Sequence, residues 1–126
     1  MKHKESEEMY LETIYVLTQK SSYVRSVDVA TELGYSKASI SVAMKRLREK
    51  DYVSIDSSGM ISLTEVGKKV ALDIYERHHL LTAMFVLIGA DAALAEENAC
   101  RIEHVISADL VEIIRNHLHG KIQATT

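Results

Sequence analysis

One pattern in the first half of the chain restricts its fold more than any other: two helix-forming stretches joined by a glycine. Ser26 can cap a short helix over residues 27–33, which Gly34 can end as the left-handed residue after the last turn. Ser36 can cap a second helix that runs to about Lys50. This order is the helix-turn-helix pattern, although an ordinary helical hairpin has the same outline.

The residues that follow predict a small β-hairpin. Residues 52–56 alternate between apolar and polar side chains, residues 57–59 (Ser-Ser-Gly) favour a turn, and residues 60–63 can pair back. Two helices followed by a two-stranded ribbon form a winged helix, whose hairpin lies along the DNA backbone. The hairpin therefore favours DNA binding over a plain helical hairpin.

The second helix of this pattern has two different faces. Ala38, Ser39 and Ser41 are small enough to let the helix backbone enter a major groove about 12 Å wide. Lys45 and Arg46 can contact phosphates at its edges. We predict that the inward face consists of Ile40, Ala43, Met44 and Leu47. The residues that we expect at the DNA surface, hairpin turn included, are Arg25, Ser36, Lys37, Ala38, Ser39, Ser41, Val42, Lys45, Arg46, Ser57 and Ser58.

The net charge of −3 hides an asymmetry along the chain. Residues 36–50 hold five basic side chains and one acidic side chain, a balance of +4. Residues 91–112 hold six acidic side chains and one basic side chain, a balance of −5. Such polarity fits one surface that faces phosphate and another that faces a cation.

Composition favours a mostly helical protein of 126 residues, because 47% of the residues are hydrophobic and there is no proline. No apolar run is long enough to cross a bilayer, and no signal core opens the chain, so we expect a cytoplasmic protein. One cysteine excludes an intrachain disulfide. The chain has no Gly-rich phosphate loop and no nucleophile paired with a base, which argues against a small metalloenzyme.

Residues 97–104 (Glu-Asn-Ala-Cys-Arg-Ile-Glu-His) predict metal ligands on a helix that we expect over residues 91–106. Cys100, Glu103 and His104 are spaced by three and four, so their side chains project from one face. A thiolate, a carboxylate and an imidazole are ligands of transition metals, but three donors do not close a site. The alternative is a metal-independent winged-helix regulator or docking module in which the cysteine is a core thiol.

Three further helices complete a mainly α fold. We expect an amphipathic first helix over residues 6–19, a long helix over residues 65–88 and a last helix over residues 108–118. The long helix begins polar and becomes apolar from Leu80 on. Its second half should therefore be buried between helices or between subunits.

Together these segments resemble the diphtheria-toxin-repressor family of metal-dependent transcription regulators, which includes the manganese transport regulators. The likeness lies in Glu8-Met9-Tyr10-Leu11 with Thr13-Ile14-Tyr15, in Leu63-Thr64 followed by Gly67, and in Ala99-Cys100 with Glu103-His104 and Ser107. The resemblance implies an N-terminal winged helix-turn-helix DNA-binding domain, residues 1–71, and a helical metal-binding and dimerisation domain, residues 72–126. It also implies the short form of the family, without a C-terminal SH3-like domain.

The resemblance further implies a hybrid set of metal ligands. Glu12 matches a ligand of the manganese branch, and His78 matches a histidine that both branches place in a second site. Thr82 and Glu96 depart from the iron-type second site, where that branch has a glutamate and a histidine. The implied ligands are Met9, Cys100, Glu103, His104, Glu12 and His78, of which Met9, Cys100, Glu103 and His104 match the iron-type site.

The two sulfur ligands in this set, Met9 and Cys100, affect which metal the site would prefer. Soft ligands favour Fe(II) over Mn(II), so iron is our first choice and manganese the second, with Co(II), Ni(II) and Zn(II) as surrogates in vitro. The resemblance implies a homodimer that binds a palindromic double-stranded DNA operator and represses metal-homeostasis genes. We expect the metal to join Met9, beside the DNA-binding unit, to the ligands in the second half of the chain.

Overall fold

The computed structural model describes residues 2–124, and the side chains of residues 6–120. The chain divides into two compact units after Asp73, and the helix that spans this boundary contributes to both. No helix among the described residues is long and apolar enough to span a membrane. In chain order the elements are α1 (Lys2–Lys20), α2 (Ser26–Leu33), α3 (Lys37–Glu49), β1 (Val53–Ile55), β2 (Ile61–Leu63), α4 (Glu65–Leu87), α5 (Ala92–Ile102) and α6 (Ala108–Ala124).

The helix-turn-helix in the first unit is confirmed, with one change at its start. The Ser36 hydroxyl accepts a hydrogen bond from the Ser39 amide at 3.2 Å and so caps α3. Gly34 has a φ of 70° and ends α2, as its position predicted. The predicted cap of α2 was wrong, because Arg25 lies at that position and its main-chain N–H donates to the Asp28 carboxylate at 2.8 Å. Ser26 is instead the first residue of the helix.

The hairpin also forms, with strands one or two residues shorter than predicted. β1 and β2 pair antiparallel, and their register places Val53 opposite Leu63. The Thr64 amide donates to the Tyr52 carbonyl at 3.0 Å, and the Thr64 hydroxyl accepts from the Gly67 amide at 3.0 Å. Thr64 therefore closes the hairpin and caps α4 at once.

The core of the first unit joins α1, α2, α3, the hairpin and the start of α4. Leu11 and Ile14 of α1 have no exposed surface. The Glu7 carboxylate is buried too, and Lys50 Nζ lies 2.6 Å from it. The predicted inward face of α3 is buried in full: Ile40, Ala43, Met44 and Leu47.

The second unit consists of the C-terminal part of α4 with α5 and α6. The Asp91 carboxylate caps α5 by accepting from the Leu94 amide at 2.8 Å, and the Ser107 hydroxyl caps α6 by accepting from the Leu110 amide at 3.2 Å. α5 ends at Ile102, four residues before the predicted end, because residues 103–105 form the turn that leads into the α6 cap. The buried apolar side chains here are Ile74, Leu81, Ala95, Ala99 and Val111.

Apolar side chains also lie on the surface of this second unit. The most exposed of them is Ile88, the residue that follows α4, with 73% of its surface accessible. Of the second half of α4, Leu81 is buried within the chain, whereas Val86 and Leu87 are exposed, so burial of these last residues between subunits stays a prediction. The exposed apolar set comprises Val86, Leu87, Ile88, Leu94, Val105, Leu110 and Ile113.

Candidate nucleic-acid interface and metal centre

The outer face of α3 is free of the packing that holds its inner face. Lys37, Ala38, Ser39, Ser41 and Lys45 are exposed, together with the cap residue. Side chains of this size allow close approach to a groove, and the two lysines supply positive charge. Of the other predicted DNA residues, Val42 is 62% exposed, Arg46 is partly buried, and Arg25, Ser36, Ser57 and Ser58 are exposed. The structure thus presents the predicted DNA residues, apart from partly buried Arg46, on the exposed surface of the winged helix.

The second unit brings three of the predicted metal ligands together around one carboxylate. Glu103 is fully buried, and its Oε2 lies 2.7 Å from Nδ1 of His78. Its other oxygen, Oε1, lies 3.3 Å from Nε2 of His104. His78 comes from α4, whereas Glu103 and His104 follow the last turn of α5.

The local backbone explains why these three groups meet although α5 ends before them. Glu103 has φ −60° and ψ −26°, and its amide donates to the Ala99 carbonyl at 3.0 Å. It therefore continues the helical phase for one more residue, and Ala99 and Glu103, four apart, are both buried. The small Ala99 side chain lies fully buried on the same side of α5 as the carboxylate.

The chemistry of this cluster fits a divalent cation. An isolated carboxylate is costly to bury, and two imidazoles beside it supply either hydrogen bonds or further metal donors. One carboxylate and two imidazole nitrogens are a common partial shell for first-row transition metals. Imidazole that binds a metal through one nitrogen is usually oriented by a hydrogen bond at the other. The donor types of these three residues are those of a candidate metal centre.

Glu96, which the sequence analysis set aside as a departure from the iron-type second site, also lies in this neighbourhood. Its Oε1 lies 3.7 Å from Nε2 of His78, although its side chain is 69% exposed. The spacing carried a signal, because Glu96, Cys100 and Glu103 follow one another at four and three residues along α5. Cys100 itself is exposed, in contrast to Glu103.

The remaining two predicted ligands lie on α1 in the first unit. Met9 and Glu12 are three residues apart and both partly buried. The Met9 sulfur lies 4.0 Å from the hydroxyl of Tyr35, which precedes the cap of α3. Burial, and after it the like charge of the neighbouring Tyr35 phenolate, raise the pKa of Tyr10, the residue beside Met9. The predicted metal donor Met9 is therefore in contact with Tyr35, which leads into α3, the DNA-reading (recognition) helix of the helix-turn-helix.

Comparison with known proteins covers almost the whole chain. A family model described as the N-terminal DNA-binding domain of iron-dependent repressors matches residues 2–59. A second, described as the metal-binding and dimerisation domain of iron-dependent repressors, matches residues 64–121. The HTH-type transcriptional regulator MntR of Shouchella clausii (strain KSM-K16) is 32% identical over 109 residues, which are 86% of this chain and 76% of that protein.

The chain belongs to the iron-dependent repressor family. It is a metal-dependent transcriptional repressor and not an enzyme, and it binds double-stranded operator DNA as a homodimer. The predicted family and the predicted mainly α, winged-helix fold are confirmed. The metal-independent regulator and the metalloenzyme considered above are set aside.

Solved structures of this repressor family agree with the fold. A manganese-dependent transcriptional repressor in complex with manganese has a TM-score of 0.82 and 26% identity over 90% of this chain. The manganese regulator SloR has a TM-score of 0.79 and 26% identity, again over 90% of this chain. This repressor spans about half the length of those two chains, 52% and 53%.

Proposed function

We propose that this repressor controls metal-homeostasis genes from the cytoplasm, with Mn(II) as its activating ion and Fe(II) as the second candidate. The observation that carries the proposal is the buried Glu103 carboxylate between His78 and His104. Oxygen and nitrogen donors of this kind suit Mn(II). The relative from Shouchella clausii is named MntR, and one solved neighbour contains manganese.

The ligands on α1 complete the proposed shell. We assign Met9 and Glu12 to it because three residues already grouped in the second unit leave coordination positions to be filled. Glu12 would add a carboxylate oxygen and Met9 a thioether. Metal binding by these residues would then favour one orientation of α3, the recognition helix of the helix-turn-helix.

The dimer converts that orientation into DNA recognition. We assign the subunit interface to the exposed apolar side chains of the second unit, with Ile88 and Ile113 at its centre because they are 73% and 63% exposed. In a two-fold dimer the recognition helices must lie about 34 Å apart, one turn of DNA, to enter successive major grooves. Metal binding would raise the fraction of dimers whose recognition helices have this spacing. Operator affinity would rise with that fraction.

Cys100 decides between the two candidate ions. Its thiolate is a soft ligand that favours Fe(II). Its side chain is exposed, and a shell without it would keep the Met9 thioether as its one sulfur donor among oxygen and nitrogen donors, which favours Mn(II). Replacing Cys100 with alanine should leave Mn(II)-dependent DNA binding in place if the thiolate stays outside the shell. Loss of that binding, together with thiolate-to-metal absorption on Co(II) titration of the unaltered protein, would instead establish Cys100 as a ligand and favour iron.

The substitution Glu103→Gln tests the metal centre itself. The amide keeps the shape of the side chain but removes its charge, so metal affinity should fall at least tenfold, the equivalent of about 1.4 kcal/mol. Glu97→Gln is the matched control, because Glu97 lies on α5, the helix that ends directly before Glu103, is exposed and pairs with Arg101. Isothermal titration with Mn(II) measures both variants. Equal affinity for the two variants would refute the assignment of Glu103.

A further inference from the structure

The connection between α1 and α2 is bonded to the tip of the hairpin, 35 residues further along the chain. The Tyr23 hydroxyl donates to the Ser58 side-chain oxygen at 2.8 Å and lies 3.0 Å from the Ser58 carbonyl oxygen. A second bond follows at once, from the Ile61 amide to the Val24 carbonyl at 2.7 Å. Two successive residues of the connection therefore hold the hairpin at its turn and at its second strand.

The turn that Tyr23 contacts is itself well ordered by Asp56. One carboxylate oxygen of Asp56 accepts from the Ser58 hydroxyl at 2.6 Å, from the Ser58 amide at 2.9 Å and from the Met60 amide at 3.0 Å. These donors, the Ser58 hydroxyl first, hold the pKa of Asp56 below its ordinary value. The hydroxyl of Tyr23 thus attaches to a fixed turn and not to a loose loop tip.

Arg25 lies between the tyrosine and this turn. Its guanidinium carbon is 5.9 Å from the centre of the Tyr23 ring, within cation–π range. On the other side, a Cβ placed on Gly59 would lie 3.6 Å from Nε of Arg25, so the glycine leaves room for the guanidinium. The side chain of Arg25 therefore follows the edge of the hairpin.

The position of Arg25 is electrostatically unfavourable within the chain. It stands at the start of α2, where the helix dipole favours negative charge. Among the described residues no carboxylate forms an ion pair with its guanidinium, and it is the Arg25 main-chain N–H that donates to the Asp28 carboxylate. The Tyr23 ring lies against the guanidinium, and Gly59 leaves space beside it. In this position Arg25 can bind an anion that belongs to another molecule.

We propose that Tyr23 is a positioning residue that fixes the hairpin tip and Arg25 as one unit, so that Arg25 meets a backbone phosphate at the flank of the operator. The proposal rests on the DNA binding described above and adds the wing contact to it. Tyr23 acts through Arg25 and the turn at residues 56–59, with no direct DNA contact of its own.

The test is a double-mutant cycle on DNA binding, carried out with the full-length protein saturated with Mn(II). The variants are Tyr23→Phe, which keeps the ring and removes the hydroxyl, Arg25→Ala, and the two combined. Tyr52→Phe is the matched control, since the structure shows no hydrogen bond from the Tyr52 hydroxyl to any described residue. The probe is a fluorescein-labelled duplex selected from a random pool by the Mn(II)-loaded protein, with an unselected duplex of equal length beside it.

Arg25→Ala should flatten the dependence of log affinity on log salt by about 0.9, the value for one phosphate contact. Tyr23→Phe should weaken binding about threefold to tenfold on both duplexes, the range expected for one hydrogen bond, and flatten the salt dependence in part. The double variant should bind no worse than Arg25→Ala, because both changes remove the same contact. Tyr52→Phe should match the unaltered protein, and all variants should unfold at similar temperatures.

Additive effects of the two substitutions, or a Tyr23→Phe variant with unaltered affinity and salt dependence, would overturn the proposal. An unchanged salt dependence combined with lost preference for A·T-rich flanks would place Arg25 in the minor groove and refute the phosphate contact. Failure of the proposed metal activation would be seen separately, as equal DNA affinity of the unaltered protein in Mn(II) and in chelator. The double-mutant cycle could still be interpreted in that case.

Discussion

The substitution Gly67→Ala should weaken the junction between the hairpin and α4. A Cβ at Gly67 would lie 1.9 Å from the carbonyl oxygen of Tyr52, and side-chain carbons do not approach a carbonyl closer than 3.0 Å. The Tyr52 carbonyl must therefore move by about 1 Å, and overpacking of this kind costs about 1–3 kcal/mol. The same carbonyl accepts the Thr64 amide at 3.0 Å, and loss of that bond adds about 1 kcal/mol.

One effect acts in the opposite direction. Alanine is favoured over glycine inside a helix by about 1 kcal/mol, and Gly67 lies in the first turn of α4, where that gain applies only in part. The net expectation is a loss of about 1–3 kcal/mol in the free energy of unfolding. Because the displaced carbonyl belongs to the hairpin, operator affinity should fall as well.

Urea denaturation followed by circular dichroism measures this change. With a urea dependence of about 2 kcal/mol per molar, the midpoint should fall by about 0.5–1.5 M at an unchanged slope. Gly120→Ala is the control: it makes the same chemical change inside α6, where nothing lies within 4 Å of the new carbon, and should stabilise slightly. A Gly67→Ala variant that unfolds at the wild-type midpoint would refute the steric reasoning.

Two further predictions concern the DNA-binding unit. Replacing the exposed Lys45 with alanine should weaken binding to selected and unselected duplexes alike and flatten the salt dependence by about 0.9, so an unchanged slope would mean that Lys45 contacts no phosphate. The lowered pKa of Asp56 gives the hairpin turn a stabilisation that is fully present above the unfolded-state pKa and is lost as the pH falls through the lower folded-state value. Amide hydrogen exchange at Ser58 and Met60, measured by NMR in both pH ranges, should speed up relative to the rest of the hairpin in acid; uniform behaviour along the hairpin would contradict this.

Most of the fold follows from local signals in the sequence. Ser36 caps α3 as predicted, and Thr64, Asp91 and Ser107 cap the later helices in the same local way, because a capping hydroxyl or carboxylate acts on amides two or three residues away. Gly34 marks the end of α2 for an equally local reason, its positive φ. Period and capping together were enough to predict the hairpin and each helix among the described residues, although α1 starts earlier, α5 ends earlier and α6 ends later than predicted.

The parts that the sequence did not predict depend on contacts between distant segments. The proximity of Glu96 to His78 requires α4 and α5 to pack side by side, and the exposure of Cys100 beside the buried Glu103 depends on that same packing. The spacing of Cys100, Glu103 and His104 placed them on one face but could not say which of them is buried. The start of α2 is a further difference. Ser26 was predicted to cap this helix, but the structure has Arg25 at the cap position, with its main-chain N–H bonded to the Asp28 carboxylate.

The central claim is that a metal ion bound by Glu103, His78 and His104 controls the affinity of the winged helix for operator DNA. Fluorescence anisotropy of the selected duplex, titrated with protein in Mn(II) and again after exhaustive chelation, tests it most directly. Chelation should lower operator affinity about fivefold to 150-fold, and bound DNA should raise the affinity for Mn(II) by the same factor. Equal operator affinity in the two conditions, with the protein still folded and dimeric, would contradict the account.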